Sequence, residues 1–204
     1  MTDEFTVYLV DDDAGVLKGL SRLLRAKGYG VRAYSSPQEF LQQHDPEAPG
    51  CAVLDVAMPG LNGLGLQQAL TARGSHRPVI FITGKGDVPT SVSAMKAGAL
   101  DFLIKPVKDT DLLEAIQRAK THDAEHRLAD SELGSIQAKI STLTPREREV
   151  LVHVVAGRLN KQIACDLGTV EKTIKVHRGR MMEKLGVRGV ADLVRLAEKA
   201  RIAR

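Results

Sequence analysis

No apolar run in this chain approaches the ~18 residues that a membrane-spanning helix needs, which argues against an integral membrane protein and predicts no membrane partner. Cysteine is scarce. Cys51 and Cys165 are the only two, lie far apart and fall in no CxxC spacing, so a metal ribbon or a disulfide framework is not expected. Both are expected as small buried apolar residues. The start, Met1-Thr2-Asp3-Glu4, is acidic where a secretory signal would be basic, and a cytoplasmic location is expected.

What is present is ordinary in amount and uneven in placement. Of 204 residues, 43% are hydrophobic and 26% charged, as in a typical globular protein. The length suits one large or two small domains, and the charge favours two. Residues 1–122 hold 13 Lys/Arg against 14 Asp/Glu, residues 123–141 hold 2 against 4, and residues 142–204 hold 14 against 7. Only the last segment is strongly basic, and it alone points to a polyanionic partner.

In the first segment, short apolar runs each end on a polar group: Val7–Val10 before Asp11-Asp12-Asp13, Cys51–Leu54 before Asp55, Val79–Ile82 before Thr83-Gly84, and Leu103-Ile104 before Lys105-Pro106. Such runs, separated by amphipathic stretches, read as parallel strands buried on both faces. Residues 14–27 place Val16, Leu17, Leu20, Leu23 and Leu24 on one helical face, and Gly28 supplies the stop. Further strand and helix pairs are expected at Val31–Tyr34 with Pro37–Gln43, Ala52–Leu54 with Gly63–Thr71, Val79–Thr83 with Pro89–Ala97, and Leu100–Ile104 with Thr110–Lys120 or further. The expectation is an α/β doubly wound, parallel, five-stranded sheet in the order 2-1-3-4-5, followed by a small all-α domain. That order makes strands one and three neighbours, so Asp11, Asp12 and Asp55 should face one another.

Three carboxylates held together repel unless a cation joins them. A hard divalent ion suits the set: magnesium, with manganese as the alternative, because it accepts a few carboxylates and shares its remaining positions with phosphate oxygens. Lys105 adds a fixed positive charge. A carboxylate can itself attack phosphorus, and Asp55 is the best-placed nucleophile. The plainer reading of any one Asp is a helix cap at a strand-to-helix turn.

The strings Leu9-Val10-Asp11-Asp12-Asp13, Asp55-Val56-Ala57-Met58-Pro59-Gly60-Leu61-Asn62-Gly63, Ile82-Thr83-Gly84-Lys85-Gly86-Asp87 and Ala97–Pro106 resemble the strand-end motifs of a response-regulator receiver domain of the CheY type, with its flavodoxin-like fold. The resemblance implies that Asp55 is the phosphoacceptor, that Asp12 ligates magnesium directly and Asp11 largely through water, and that Ala57 lends a backbone carbonyl. It also implies that Thr83 and Lys105 bind the phosphoryl group, that Thr83 and Phe102 form a switch, and that a cis bond precedes Pro106. A sensor histidine kinase is the implied phosphoryl donor. The ordinary reading of Phe102 is a core ring, and both readings bury it.

Residues 123–141 read as a helical linker. Apolar positions there, Leu128, Leu133, Ile136 and Ile140, keep a loose helical spacing, while Gly134-Ser135 and Ser141-Thr142 leave its continuity open. Residues 142–204 follow as a helical domain. Thr144, Pro145 and Glu147 form a capping box, with Val150, Leu151, Val154 and Val155 as the apolar face of the helix it opens. A short helix from Asn160, a turn at Gly168 and a basic third helix make a helix-turn-helix. In that third helix Val170, Ile174, His177 and Met181 are expected to point inward, His177 as a core histidine. Lys172, Lys175, Val176, Gly179 and Glu183 are expected outside. Lys175 and Val176 are the candidates for base contact, while Lys161, Lys172, Arg178 and Arg180 suit phosphates; a basic bundle with no nucleic-acid partner is the bland alternative.

Leu143–Leu151, Asn160–Ala164 and Val170–Arg178 resemble the LuxR-type DNA-binding domain, so that the whole chain resembles a NarL/FixJ-class transcriptional regulator. The resemblance implies double-stranded DNA as partner, RNA polymerase as a further one, and a homodimer on activation, formed at the final helix, Val190–Lys199, through Ala191, Leu193, Val194 and Ala197. Gly179 departs from the pattern, since many members present a longer side chain to DNA there. Phosphorylation-driven dimerisation is expected at the face formed by Pro89–Ala97 and Leu100–Ile104. The chain is not expected to be an enzyme beyond its own phosphorylation and dephosphorylation. Two other readings stand beside this one: a phosphohydrolase using the aspartyl nucleophile, disfavoured by the lack of a cap or lid insertion, and a signalling module acting by protein contact alone.

Overall fold

A computed structural model describes residues 5–84 and 88–202, so Lys85, Gly86 and Asp87 of the third motif lie outside the described residues. The elements run β1 (Thr6–Val10), α1 (Ala14–Ala26), β2 (Gly30–Tyr34), α2 (Pro37–Gln43), β3 (Gly50–Asp55), α3 (Gly63–Ala72), β4 (Val79–Thr83), α4 (Val88–Lys96), β5 (Asp101–Ile104), α5 (Asp109–Ser141), α6 (Pro145–Val155), α7 (Asn160–Asp166), α8 (Glu171–Leu185) and α9 (Val190–Lys199). They fall into two compact units, Met1–Arg127 and Leu128–Arg204.

The first unit is a parallel sheet in the order β2-β1-β3-β4-β5, as the apolar runs predict. Alternation along each strand divides its side chains between two cores. Val7, Leu9, Val53, Ile80 and Ile82 pack with Leu24 of α1 and with Leu112, Ala115, Ile116 and Ala119 of α5. On the other face Tyr8, Val10, Ala52, Leu54 and Phe81 pack with Phe40 of α2, Leu66 and Leu70 of α3, and Ala94 of α4. The valine, leucine, isoleucine and phenylalanine side chains among these, fully buried, each contribute about 1.5–3 kcal/mol, and the alanines less.

Residues 123–141 all lie within α5. The helix runs through Gly134 and Ser135, a tolerable interruption because a helical glycine costs only about 1 kcal/mol. Asp123 and Arg127 belong to the first unit: Asp123 accepts the Gly50 N–H at 3.3 Å and the Arg127 Nε–H at 3.0 Å, and Arg127 donates to the Glu47 carbonyl at 2.6 Å. Leu128, read as an apolar position, is exposed.

The second unit has one core, in which Ile136, Val150, Leu151, Val154, Ile163, Ile174, Met181, Leu185 and Leu193 are buried together. Its capping box forms as expected, with the Thr144 hydroxyl accepting the Glu147 N–H and the Glu147 carboxylate accepting the Thr144 N–H. Glu147 is 3% exposed and also holds Lys184 of α8 at 2.7 Å. Gly186 closes α8 in the left-handed region at φ 69°, where a side chain would be strained.

Four expectations need correction. Cys165 is exposed, because the core side of α7 is taken by Ile163 and Ala164. Val170 is 64% exposed; it is the N-cap of α8, in extended conformation, and so leaves the stripe that Ile174 and Met181 continue. Phe102 is only partly buried. Leu193 and Ala197 are fully buried in the core of their own domain and are not available to a partner.

Candidate functional site

Strand register builds the site in the first unit. Val10 pairs with Leu54, Asp55 with Ile82, and Thr83 with Ile104. Asp11 therefore emerges beside Asp55, and Lys105 just beyond Thr83, all at the C-terminal edge where such sheets bind ligands. The Lys105 N–H donates to the Thr83 carbonyl at 2.7 Å, which ties the lysine to the end of β4. The Lys105–Pro106 bond is cis.

One oxygen from each of Asp11, Asp12 and Asp55 lies within 4.8 Å of the others. Asp11 is 1% exposed, Asp55 4% and Thr83 2%, whereas Asp12 faces solvent. Lys105 Nζ bridges the two buried acids, 2.7 Å from Asp11 Oδ2 and 2.9 Å from Asp55 Oδ1. The remaining Asp55 oxygen accepts the Ala57 N–H at 3.1 Å, and Asp11 accepts the Asp13 N–H at 2.9 Å.

Burial raises the Asp11 carboxyl above its ordinary value, and the bond from Lys105 only partly offsets it. Burial pulls the Lys105 ammonium down, but the hydrogen bonds to Asp11 and Asp55 outweigh it, so the lysine stands above its usual range and keeps its charge. The capping reading fits only Asp13, which accepts the N–H groups of Gly15 and Val16. The other three are left for chemistry. A Cβ on Gly63 would stand 2.3 Å from the Asp55 carbonyl oxygen, so a glycine is required where α3 starts against the end of β3.

Phe102 sits half-buried beside Phe81, with ring centroids 6.4 Å apart. On α4 and β5, Val88, Val92, Met95 and Ile104 expose large apolar side chains.

In the second unit Lys161, Lys172, Lys175, Val176, Gly179, Arg180 and Glu183 are exposed, as a DNA-facing surface requires. Arg178 differs: it is half-buried and its Nη1 donates to Asn160 Oδ1 at 2.9 Å, which pins α8 to α7. Asn160 as that partner had no signal in the sequence. His177 is half-buried, less than a core histidine would be. Among the described residues no helix is long and apolar enough to cross a membrane.

Residues 7–117 match the response regulator receiver domain family, and residues 141–197 match the luxR family of bacterial regulatory proteins. Nodulation protein W of Bradyrhizobium diazoefficiens is 43% identical over 192 residues, covering 94% of this chain and 85% of that protein. The transcriptional regulatory protein FixJ of Rhizobium meliloti is 42% identical over 197 residues, covering 97% and 96%. The solved structure of the response regulator StyR superposes with a TM-score of 0.85 at 46% identity, covering 96% of this chain and 99% of that one. With an acid cluster and lysine at the strand ends of the first unit and a helix-turn-helix later in the sequence, the chain belongs to the two-component response regulators of the NarL/FixJ class, carrying a receiver domain and a LuxR-type DNA-binding domain.

Proposed function

We propose that this regulator is switched by phosphorylation of Asp55, with a sensor histidine kinase as donor, and that the phosphorylated form dimerises on double-stranded DNA to control transcription with RNA polymerase, in the cytoplasm. The observation that carries the reading is Lys105 Nζ, 2.9 Å from Asp55 Oδ1, in a site where three carboxylates converge. An Asp55 oxygen attacks phosphorus of the phosphohistidine; the O–P bond forms, the N–P bond breaks, and the imidazole leaves with its electron pair. Lys105 stays beside the incoming charge, and Thr83 turns its hydroxyl to the phosphoryl oxygens.

The donor set fits a hard divalent ion, since buried Asp11 and Asp55 with exposed Asp12 offer carboxylate oxygens only. Asp11, Asp12, Asp55 and the Ala57 carbonyl would hold magnesium, or manganese in its place. When bound, the ion neutralises charge on the transferring phosphoryl group. The chemistry is confined to the chain's own acceptor, and no external substrate is turned over.

Phosphorylation adds roughly 1.5–2 negative charges. Thr83 moves towards them, and Phe102, already half-buried, fills the vacated space. That rearrangement reshapes the apolar face of Val88, Val92, Met95 and Ile104, the surface for receiver pairing. In the second unit Lys175 and Val176 read bases, while Lys161, Lys172, Arg180 and, with its free nitrogens, Arg178 bind phosphates. Gly179 leaves room between them.

The test is labelling with acetyl phosphate in the presence of magnesium, followed by sedimentation and gel shift. Wild type is expected to take up one phosphoryl group, gain mass as a dimer and bind DNA more tightly. Asp55→Asn is expected to do none of these. Labelling that persists in the variant, or phosphate released in large excess over chain from a phosphate ester, overturns the reading.

A further inference from the structure

Two acids interrupt the basic exposed face of α8, and they lie at opposite ends of it. Glu171 is the first residue of that helix, is exposed, and stands one turn from Lys175, whose Nζ lies 3.7 Å from Glu171 Oε1. Glu183 comes twelve residues later, about 18 Å along the helix axis. Val170, just before Glu171, is 64% exposed and makes no side-chain cap bond to the helix, so the start of α8 is not tuned for helix initiation alone.

A surface that bound only phosphates would carry no acid at its leading end, because a carboxylate repels the DNA backbone. In a helix-turn-helix the first turns of the second helix are the part that meets base edges. There a carboxylate has a use, since cytosine N4 is a donor it can accept from.

The ion pair matches one base pair in particular. Guanine O6 and cytosine N4 lie side by side in the major groove, an acceptor next to a donor. An ammonium next to a carboxylate is their complement. A T·A pair also sets an acceptor, thymine O4, beside a donor, adenine N6. Its thymine, however, adds a methyl group under the lysine, and its adenine adds N7, an acceptor that repels the carboxylate. Guanine instead offers N7 to the lysine as a second acceptor, and cytosine brings no acceptor beneath the glutamate.

We infer that Glu171 is a specificity-determining residue: with Lys175 it reads one G·C pair, the lysine donating to guanine O6 and N7 and the glutamate accepting from cytosine N4. This rests on α8 entering the major groove of DNA. At 3.7 Å the contact in the free chain is longer than a hydrogen bond, so each side chain turns to its own base without giving one up. On any other sequence the carboxylate has no donor and only repels phosphate, which adds discrimination against wrong sites.

The test selects binding sites from random duplexes for the full chain, treated with acetyl phosphate and magnesium, and then titrates altered sites by gel shift at two salt concentrations. Wild type is expected to select a fixed G·C pair whose replacement by T·A costs about ten-fold or more in affinity. Glu171→Gln should shift the preference there towards T·A, because an amide side chain pairs with adenine N6 and N7. Glu171→Ala should bind random DNA more tightly than wild type and keep only the lysine's share of the preference. Melting temperatures of both variants check folding. If Glu171 acts through helix stability alone, both variants weaken every duplex equally and select the wild-type sequence, which overturns the assignment. Wild-type selectivity and affinity kept by both variants also overturns it. A wild type that shifts no duplex at either salt concentration instead fails the DNA-binding reading itself, and the assignment with it.

Discussion

Lys105 Nζ stands 2.9 Å from Asp55 Oδ1. The lysine comes from the end of β5 and the aspartate from the end of β3, two strands that do not touch; β4 lies between them. The same ammonium reaches Asp11, so in the resting site it acts as the internal counter-ion for both buried acids.

Removing that charge by Lys105→Ala leaves two buried carboxylates without their cation. The expected loss is about 1–3 kcal/mol of receiver stability in the presence of a chelator, below the cost for a fully buried pair because the lysine side chain is 22% exposed. Millimolar magnesium should restore part of it, since an ion held by the folded acid cluster, as proposed, would stabilise that form alone. Denaturation with and without magnesium measures both; equal losses would mean that Lys105 acts by packing rather than charge.

Glu147→Gln tests the tie between α6 and α8. The Lys184 ammonium, then the Thr144 N–H, hold the Glu147 carboxyl below its ordinary 4.5. A depressed carboxylate stabilises fully above its unfolded value and loses that contribution as pH falls through the folded one. At pH 7 the substitution is expected to cost about 1.5–3 kcal/mol, and the gap from wild type should close below pH 4.5. A gap that stays constant down to pH 3 sinks the charge argument.

His44 packs against Phe40 at 5.3 Å between centroids, with Nε2 3.1 Å from Ser75 Oγ. Burial, reinforced by Arg77, pushes its pKa from 6.5 down to about 4. Between those values the unfolded chain holds the proton and the folded chain does not, so acidification through this window destabilises the receiver. In His44→Gln the loss of urea midpoint between pH 7 and pH 5 should be smaller than in wild type; parallel curves would refute it.

On DNA, Lys175→Ala is expected to cost about 1–3 kcal/mol at a specific site and little on random sequence, while Lys161→Ala weakens both alike. Arg178→Ala should also lower thermal stability, because it cuts the bond to Asn160. Gly179→Ala meets nothing within 4 Å and should stabilise α8 by about 0.5–1 kcal/mol. If it also weakens DNA binding, close approach of the backbone to DNA explains the glycine. Gel shifts at two salt concentrations, paired with melting curves, separate these outcomes.

With Leu193 and Ala197 buried in their own domain, a dimer contact through α9, as proposed, would have to use its outer side. Val194→Asp is expected to block pairing on DNA in sedimentation while leaving the fold, whereas Leu193→Ala should cost about 2–5 kcal/mol and act through unfolding. Dimers of Val194→Asp at wild-type strength would remove α9 from the interface.

By itself the sequence determined the strands, their order, the converging acids with Lys105, and the capping box of α6. Each of these depends on a pattern within a few residues: an apolar run ended by a polar group, a Thr-Pro-x-Glu, a glycine after a helical stripe. Burial on both faces of a parallel sheet then leaves little freedom in where those strand ends meet. Tertiary structure alone decided the rest. Leu193 and Ala197 lie on an apolar stripe that serves a partner or the home core equally well, until packing chooses. Val170 keeps the right spacing but falls one residue before its helix, where the backbone turns aside. Arg178 with Asn160 and Lys184 with Glu147 are pairs between residues far apart in sequence, and no local periodicity records which distant side chain a folded backbone will bring within reach.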